Sequence, residues 1–270
     1  MGAGSIFIDQ MGYEVLVPHM PKRVISLVPS QTELLYYLGL QESIVGVTKF
    51  CICPIDNTSI RTKIGGTKKF NFDLINSLNP DLIIGNKEEN YLEGIEQLKR
   101  QYPVWMSDIE SLDSSLEMIQ KIGELFNIAE RTNDLAKSIS TGFTRLPKFE
   151  TLSALYFIWN EPKMVAGTST FINEMLHLGG FKNLASKNRY PVIDVDEYRE
   201  LEPDVVLLSS EPFPFTEKYL NDFQLIFPKS KIIIVDGEMF SWYGSKLLSV
   251  PKYLTQLRES LIPTFSKSSQ

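Results

Sequence analysis

The side chains able to do chemistry are few and scattered. Cys51 and Cys53 stand one residue apart in Phe50-Cys-Ile-Cys-Pro54, a spacing that seldom suits a disulfide and supplies at most half of a zinc tetrad. They are expected to be thiols, with coordination of a soft metal as the alternative use of the pair. Of the two histidines, His19 precedes the first element of the fold and His177 sits on an apolar helical stripe, where a structural role is expected. A serine hydrolase would need Gly-x-Ser-x-Gly and a histidine base; that motif is absent, and Gly167-Thr-Ser-Thr170 reads as a helix start. A dinucleotide enzyme would need G-x-G-x-x-G after the first strand. Val28-Pro-Ser-Gln-Thr32 contains no glycine, and Gly65-Gly66-Thr67-Lys68 lacks the spacing of a phosphate-cradling loop. No catalytic residue, metal-ligand set or cofactor is assigned.

The elements that position these residues alternate in type. Arg23-Val-Ile-Ser-Leu-Val28 is a short apolar run between prolines and predicts a buried strand. A helix should follow, with Ser30 and Glu33 as a capping box, Leu34, Leu35 and Leu38 as its apolar stripe and Gly39 as the left-handed residue that ends it. Ile44-Val-Gly-Val47 closes a βαβ unit, and in open α/β sheets ligands lie at the strand C-terminal ends.

This layout returns. Leu152 to Trp159 predicts a strand, and Thr170 predicts the cap of a helix whose Glu174-Met-Leu-His-Leu-Gly179 echoes Leu34-Leu-Tyr-Tyr-Leu-Gly39. Leu78-Asn79-Pro80-Asp81-Leu-Ile-Ile84 likewise echoes Leu201-Glu202-Pro203-Asp204-Val-Val-Leu207, each ending a helix at proline and starting a buried strand. Glu88 follows Pro80 by eight residues, and Glu211 follows Pro203 by eight. Two similar α/β lobes are therefore expected. Between them, apolar residues at helical spacing run from Ser114 to Leu146 with a pause at Asn127. The second helix of that stretch, starting at Ala129, would be roughly 25 Å long at about 1.5 Å per residue. The expected division is residues 1–128, a linker helix at 129–146, and residues 147–270, with a stiff linker that limits hinge motion.

Charge and composition bound the function. Lys+Arg number 27 against 33 Asp+Glu, a formal charge of −6, and no basic run exceeds Lys68-Lys69, which argues against nucleic acid as a partner. No stretch has the roughly 18–20 apolar residues of a membrane helix. The first residues lack a secretory-leader pattern. A periplasmic or cell-surface location is thus expected if a leader was trimmed, and a cytoplasmic one if Met1 is the native start.

The order RVISLVPSQTELLYYLGL, KIGGTKKFNFDLINSLNPDLIIGNKEEN, one long linker helix and IIIVDGEMFSWYGSKLL resembles the helical-backbone (class III) ABC-transporter substrate-binding proteins, which include cobalamin- and ferric-siderophore-binding members. The similarity spans roughly Pro21 to Leu261. It implies two Rossmann-like lobes joined by a single long α-helix, a ligand held in the cleft between them, docking on an ABC permease of the inner membrane, and no enzymatic activity. The protein is expected to be a monomer. The other reading from the same scaffold is a cytoplasmic chelate sensor or carrier, or a metal-dependent enzyme.

Within that class, bare zinc or manganese would need several histidines with carboxylates, which two distant histidines cannot supply. A cobalamin-like corrinoid or ferric siderophore is the expected ligand, held by aromatic walls and a few polar groups. The expected contacts are Trp159, Phe213, Phe215, Phe240, Trp242 and Tyr243 after the strands of the second lobe, and Lys49, Phe70 and Tyr91 in the first, with Phe50 beside Lys49. Cobalamin-binding relatives carry a carboxylate on the rim of each lobe to meet permease arginines; the resemblance makes Glu88, Glu89 and Glu211 the docking candidates.

Overall fold

The computed structural model describes residues 4–54 and 59–261. The chain forms two units, one reaching to Ser140 and including Trp242–Lys246, the other comprising Thr141–Ser241 and the chain from Leu247 onward. The chain passes between them inside the helix Ala129–Thr144 and again on either side of Trp242–Lys246. Five residues near the end of the expected second lobe, Trp242–Lys246, group with the first unit.

The first unit opens with an antiparallel hairpin of β1 (Gly4–Ile8) and β2 (Glu14–Pro18), so His19 follows two strands instead of preceding the first element as the sequence reading has it. Its main sheet uses β3 (Val24–Ser26), β4 (Ile44–Val47), β5 (Thr62–Lys63), β8 (Leu82–Asn86) and β9 (Val104–Ser107) in the order β5-β4-β3-β8-β9, all parallel. Every residue of β3, β8 and β9 is buried, as expected for strands covered on both faces. A small hairpin of β6 (Gly65–Gly66) and β7 (Lys69–Phe70) stands apart.

The first helix departs from its expected cap. It spans Pro29–Tyr37 with Val28 as N-cap and no side-chain capping bond. Pro29 has no N–H to lose and a preset φ, so it starts the helix and leaves Ser30 inside the first turn; Glu33 instead meets Lys246 Nζ at 3.7 Å. Gly39 has the expected positive φ of 73°. Further on, Ser111 and Ser114 form a reciprocal cap on the helix Leu112–Leu125, and Asn127, at φ 54°, separates it from Ala129–Thr144 where the apolar pattern pauses.

The second unit contains β10 (Leu152–Trp159), β11 (Met164–Val165), β12 (Phe181–Asn183), β13 (Val205–Ser209) and β14 (Lys231–Val235). The order is β11-β10-β13-β14 with β12 also beside β10, and only β11 is antiparallel. Thr170 accepts the Asn173 amide at 3.1 Å, capping Phe171–Leu178 as the sequence suggests.

The two Pro-Asp segments share geometry as well as residues. Asn79 and Glu202, immediately before the prolines, both adopt left-handed φ values of 42° and 45°. Asp81 accepts the amides of Lys22 and Arg23 at 2.9 Å each, beside β3. Asp204 accepts the amide of Ser153 at 2.7 Å and its hydroxyl at 2.6 Å, in β10. In each unit the aspartate thus ties the start of one buried strand to the start of its parallel neighbour.

Candidate ligand-binding surfaces

Because the first sheet is parallel, the loops leaving β4, β8 and β9 gather at one sheet edge, together with the β6/β7 hairpin that follows β5. Beneath them lies a buried polar layer. Thr32 Oγ1 donates to Ser26 Oγ at 2.7 Å, and Gln31 Nε2 donates to Ser107 Oγ at 2.7 Å. Asn86 Nδ2 reaches the same Ser107 hydroxyl at 3.0 Å, while Asn86 Oδ1 accepts the amides of Glu88 and Glu89 at 2.9 and 3.1 Å. Asn90 Oδ1 in turn accepts the Asn86 amide at 2.9 Å. Buried hydrogen bonds of this kind hold the loop 86–90 in one shape, since breaking any one strands its partner without water.

Cys51 joins that layer. Its sulfur lies 3.1 Å from both Thr32 Oγ1 and Thr48 Oγ1. Burial pushes its thiol pKa up, with the Thr32 and Thr48 hydrogen bonds opposing, so Cys51 is a protonated, packed thiol. Cys53 is half-buried and the pair forms no disulfide. Among the described residues no group of three or more His, Cys, Asp and Glu side chains gathers as a metal site.

Above the layer, a depression of about 900 Å3 is lined by Lys49, Phe50, Lys68, Lys69, Phe70 and Asp73, among others. Gly65, at φ 109°, makes the tight hairpin: a Cβ there would lie 2.4 Å from the Lys69 carbonyl. Lys49 donates its amide to Gly65 O at 2.8 Å, fixing the β4 loop to the hairpin. Phe50, at 51%, is the most exposed aromatic side chain lining it. Phe70 is buried, with its ring 4.9 Å from that of half-buried Tyr91. Lys68 Nζ donates to Glu88 O at 2.5 Å and Asn90 Nδ2 to Thr67 O at 3.2 Å, so hairpin and loop 86–90 brace one another. Lys49, Phe70 and Tyr91 are legible as loop candidates in the sequence; Lys68 and Lys69 read there only as a basic pair, because nothing local says that they share a depression with Phe50.

Trp242 and Tyr243 are 7% and 5% exposed, a packing position instead of an open aromatic wall. Lys246 Nζ lies 5.1 Å over the Trp242 ring, and the Gly244 amide points at Ser115 Oγ at 3.4 Å. Burial drives the Tyr243 phenol well above its ordinary pKa; Glu89 adds to this, and the hydroxyls of Ser30 and Ser107 oppose it.

In the second unit, Trp159 at the end of β10 is 38% exposed and donates Nε1–H to Glu161 O at 2.9 Å. Its ring meets half-buried Phe213 at 5.5 Å, and Phe213 meets Phe215 at 4.7 Å. Phe215 is itself core, packed with Phe157, Phe223 and Phe227. Phe240 has no exposed surface, and its ring lies tilted against that of Tyr156 with centroids 5.0 Å apart. Phe215 and Phe240 are buried for one reason: an aromatic just past a strand end is close enough to complete the core beneath it. Glu211 is half-buried and its carboxylate accepts from Ser241 Oγ at 2.6 Å; Glu88 is half-buried and Glu89 exposed.

Two α/β units, each built on a largely parallel sheet with aromatic and polar loops at its strand exits, define a solute-binding protein of the kind that serves ABC-type import. The chain belongs to the periplasmic binding protein family, whose pattern matches residues 24–224. It is 28% identical over 212 residues to the ABC transporter substrate-binding lipoprotein YvrC of Bacillus subtilis (strain 168), covering 74% of this chain and 67% of the relative. It is 22% identical over 261 residues to the vitamin B12-binding protein of Pectobacterium carotovorum subsp. carotovorum (strain PC1), covering 92% of each. The solved periplasmic vitamin B12 binding protein BtuF of Vibrio cholerae shares the fold, with a TM-score of 0.78 at 17% identity over 90% of this chain and 99% of that one.

Proposed function

We propose that the protein binds a metal chelate, a cobalamin-like corrinoid or a ferric siderophore, at its strand-exit loops and presents it to an ABC permease. The observation that carries this is the depression of about 900 Å3 in the first unit, whose open aromatic face at Phe50 and lysine-bearing rim suit a large organic chelate. Trp159 and Phe213 supply a second exposed aromatic edge. Direct ligation of a bare ion would need a donor cage, and among the described residues no three ligand-type side chains gather. The relatives named for vitamin B12 support the corrinoid branch. Loaded protein then docks through rim carboxylates, with Glu88, Glu89 and Glu211 as candidates, and no chemical step is required of the protein.

Native mass spectrometry of the purified protein, followed by fluorescence titration with cyanocobalamin and with ferric siderophore complexes, tests the proposal. Saturable one-to-one binding of a chelate is expected. Binding of a bare metal ion with no affinity for either chelate class would overturn it.

A further inference from the structure

We propose that the outer face of the β1/β2 hairpin is a surface through which two copies of this chain associate, in place of the monomer expected from the resemblance. The surface lies within the first unit and does not depend on the chelate reading. Alternation along the strands divides the hairpin into two faces. Val15 and Val17 turn inward and are buried. Ile6 and Leu16, directly opposite one another, turn outward and are 62% and 63% exposed, with exposed Ile8 beside them opposite Glu14. These three aliphatics together offer roughly 350 Å2 to solvent, a size at which an apolar patch is often functional. Glu14, His19, Met20 and Lys22 are exposed around it, so with this rim each copy approaches the about 800 Å2 that a standard interface takes from one partner.

The surface is formed in advance. Asp9 Oδ1 accepts the Met11 and Tyr13 amides at 2.9 and 2.8 Å, which closes the turn, and Gln10 ties that turn to the unit through its amide on Met106 O at 3.0 Å and its Nε2 on Ser114 O at 2.9 Å. Little ordering is left for association to cost. Among the described residues neither strand has a second neighbour, and Gly4-Ser-Ile-Phe-Ile8 carries none of the charges or prolines that protect exposed strands from joining others.

Charge selects a second copy as the occupant. Glu14 stands at the turn end of the hairpin and Lys22 follows the opposite end, four residues past Pro18, and among the described residues neither is in an ion pair. A two-fold axis through the Ile6 and Leu16 pair lays the hairpins antiparallel. Each Glu14 then comes to the Lys22 end of the other copy, aliphatics meet aliphatics at the centre, and the contact closes at two copies.

Sedimentation velocity of the full chain between about 1 and 200 μM tests this, with a micromolar dimer expected. Leu16→Asp should leave the protein monomeric throughout. Glu14→Lys and Lys22→Glu should each weaken the dimer about three- to tenfold at low salt, and the E14K/K22E double variant should recover most of that loss, because the pair is restored with its signs exchanged. All three positions are exposed, and an unchanged thermal melt confirms the fold. A wild-type chain that stays monomeric, a dimer that survives Leu16→Asp, single charge reversals without effect, or a double variant no better than the singles would each overturn the proposal. A monomer that instead binds phosphatidylcholine vesicles and loses them on Leu16→Asp would overturn it in favour of a lipid surface.

Discussion

Ser241 donates its hydroxyl to Glu211 Oε1 at 2.6 Å, so the carboxylate on the loop after β13 is held in one orientation. The counterpart after β8, Glu88, is held through its backbone instead, its amide on Asn86 Oδ1 and its carbonyl on Lys68. Positions eight residues beyond the two Pro-Asp prolines are thus both ordered, by different means. If these glutamates meet permease arginines, Glu88→Gln and Glu211→Gln should each slow association with the permease by about three- to tenfold at low salt, with the effect fading as the Debye length drops below about 8 Å. Stopped-flow or surface-binding kinetics would measure it. A loss of ligand affinity with unchanged association would move them from docking to the ligand site.

The Asp204 to Ser153 pairing should matter to stability. Asp204→Ala removes acceptors for the Ser153 amide and hydroxyl, and is expected to cost about 1–3 kcal/mol in urea unfolding. Asp81→Ala should cost a similar amount through Lys22 and Arg23. Unchanged denaturation midpoints for both would show that the repeated aspartates do not clamp their strands.

Gly65→Ala tests the hairpin. The new methyl would meet the Lys69 carbonyl at a positive φ, so a loss of about 1–3 kcal/mol is expected together with weakened chelate binding. Wild-type melting and affinity in this variant would mean that the hairpin shape is not required.

The tryptophans divide by exposure. Trp105 is fully buried and Trp242 nearly so, leaving Trp159 as the accessible emitter. Iodide quenching should fall sharply in Trp159→Phe. Trp242→Ala should register mainly as lost stability, about 3–5 kcal/mol for a buried large aromatic. An unchanged denaturation midpoint in that variant, with chelate affinity lost, would restore Trp242 to the binding set.

Alkaline pH offers a further check. Burial holds the Tyr156 phenol far above its ordinary pKa, despite its hydrogen bond to Ser209, and Tyr243 is raised in the same direction. A group whose folded pKa is raised binds more protons folded than unfolded, so its contribution is complete below the unfolded value near 10 and declines as pH rises beyond it. Each such tyrosine should add a slope of about 1.4 kcal/mol per pH unit above roughly pH 10. Urea midpoints between pH 9 and 11 should therefore fall less steeply in Tyr156→Phe than in wild type. Parallel falls would show that Tyr156 ionises as readily folded as unfolded.

Local chemistry in the chain was enough to determine the alternation of strand and helix, the Thr170 cap, the turn at Gly39, the break at Asn127 and the paired Pro-Asp segments. Each depends on neighbours within a few residues, where proline geometry, a capping hydroxyl or a left-handed φ acts without help from distant chain. The resemblance carried by GGTK and NPDLIIGNKEEN extended that to the family. Tertiary structure alone decided which aromatics show a face. Phe50 and Trp159 are open, while Phe215 and Phe240 complete the second unit's core and Trp242 and Tyr243 are buried, Trp242–Lys246 belonging with the first unit. It also set Lys49 beside Lys68 and Lys69, about twenty residues later in the chain. The physical reason is that side-chain burial past a strand end is fixed by which non-local surface arrives there, and a loop aromatic carries the same local signature whether that surface is core or solvent.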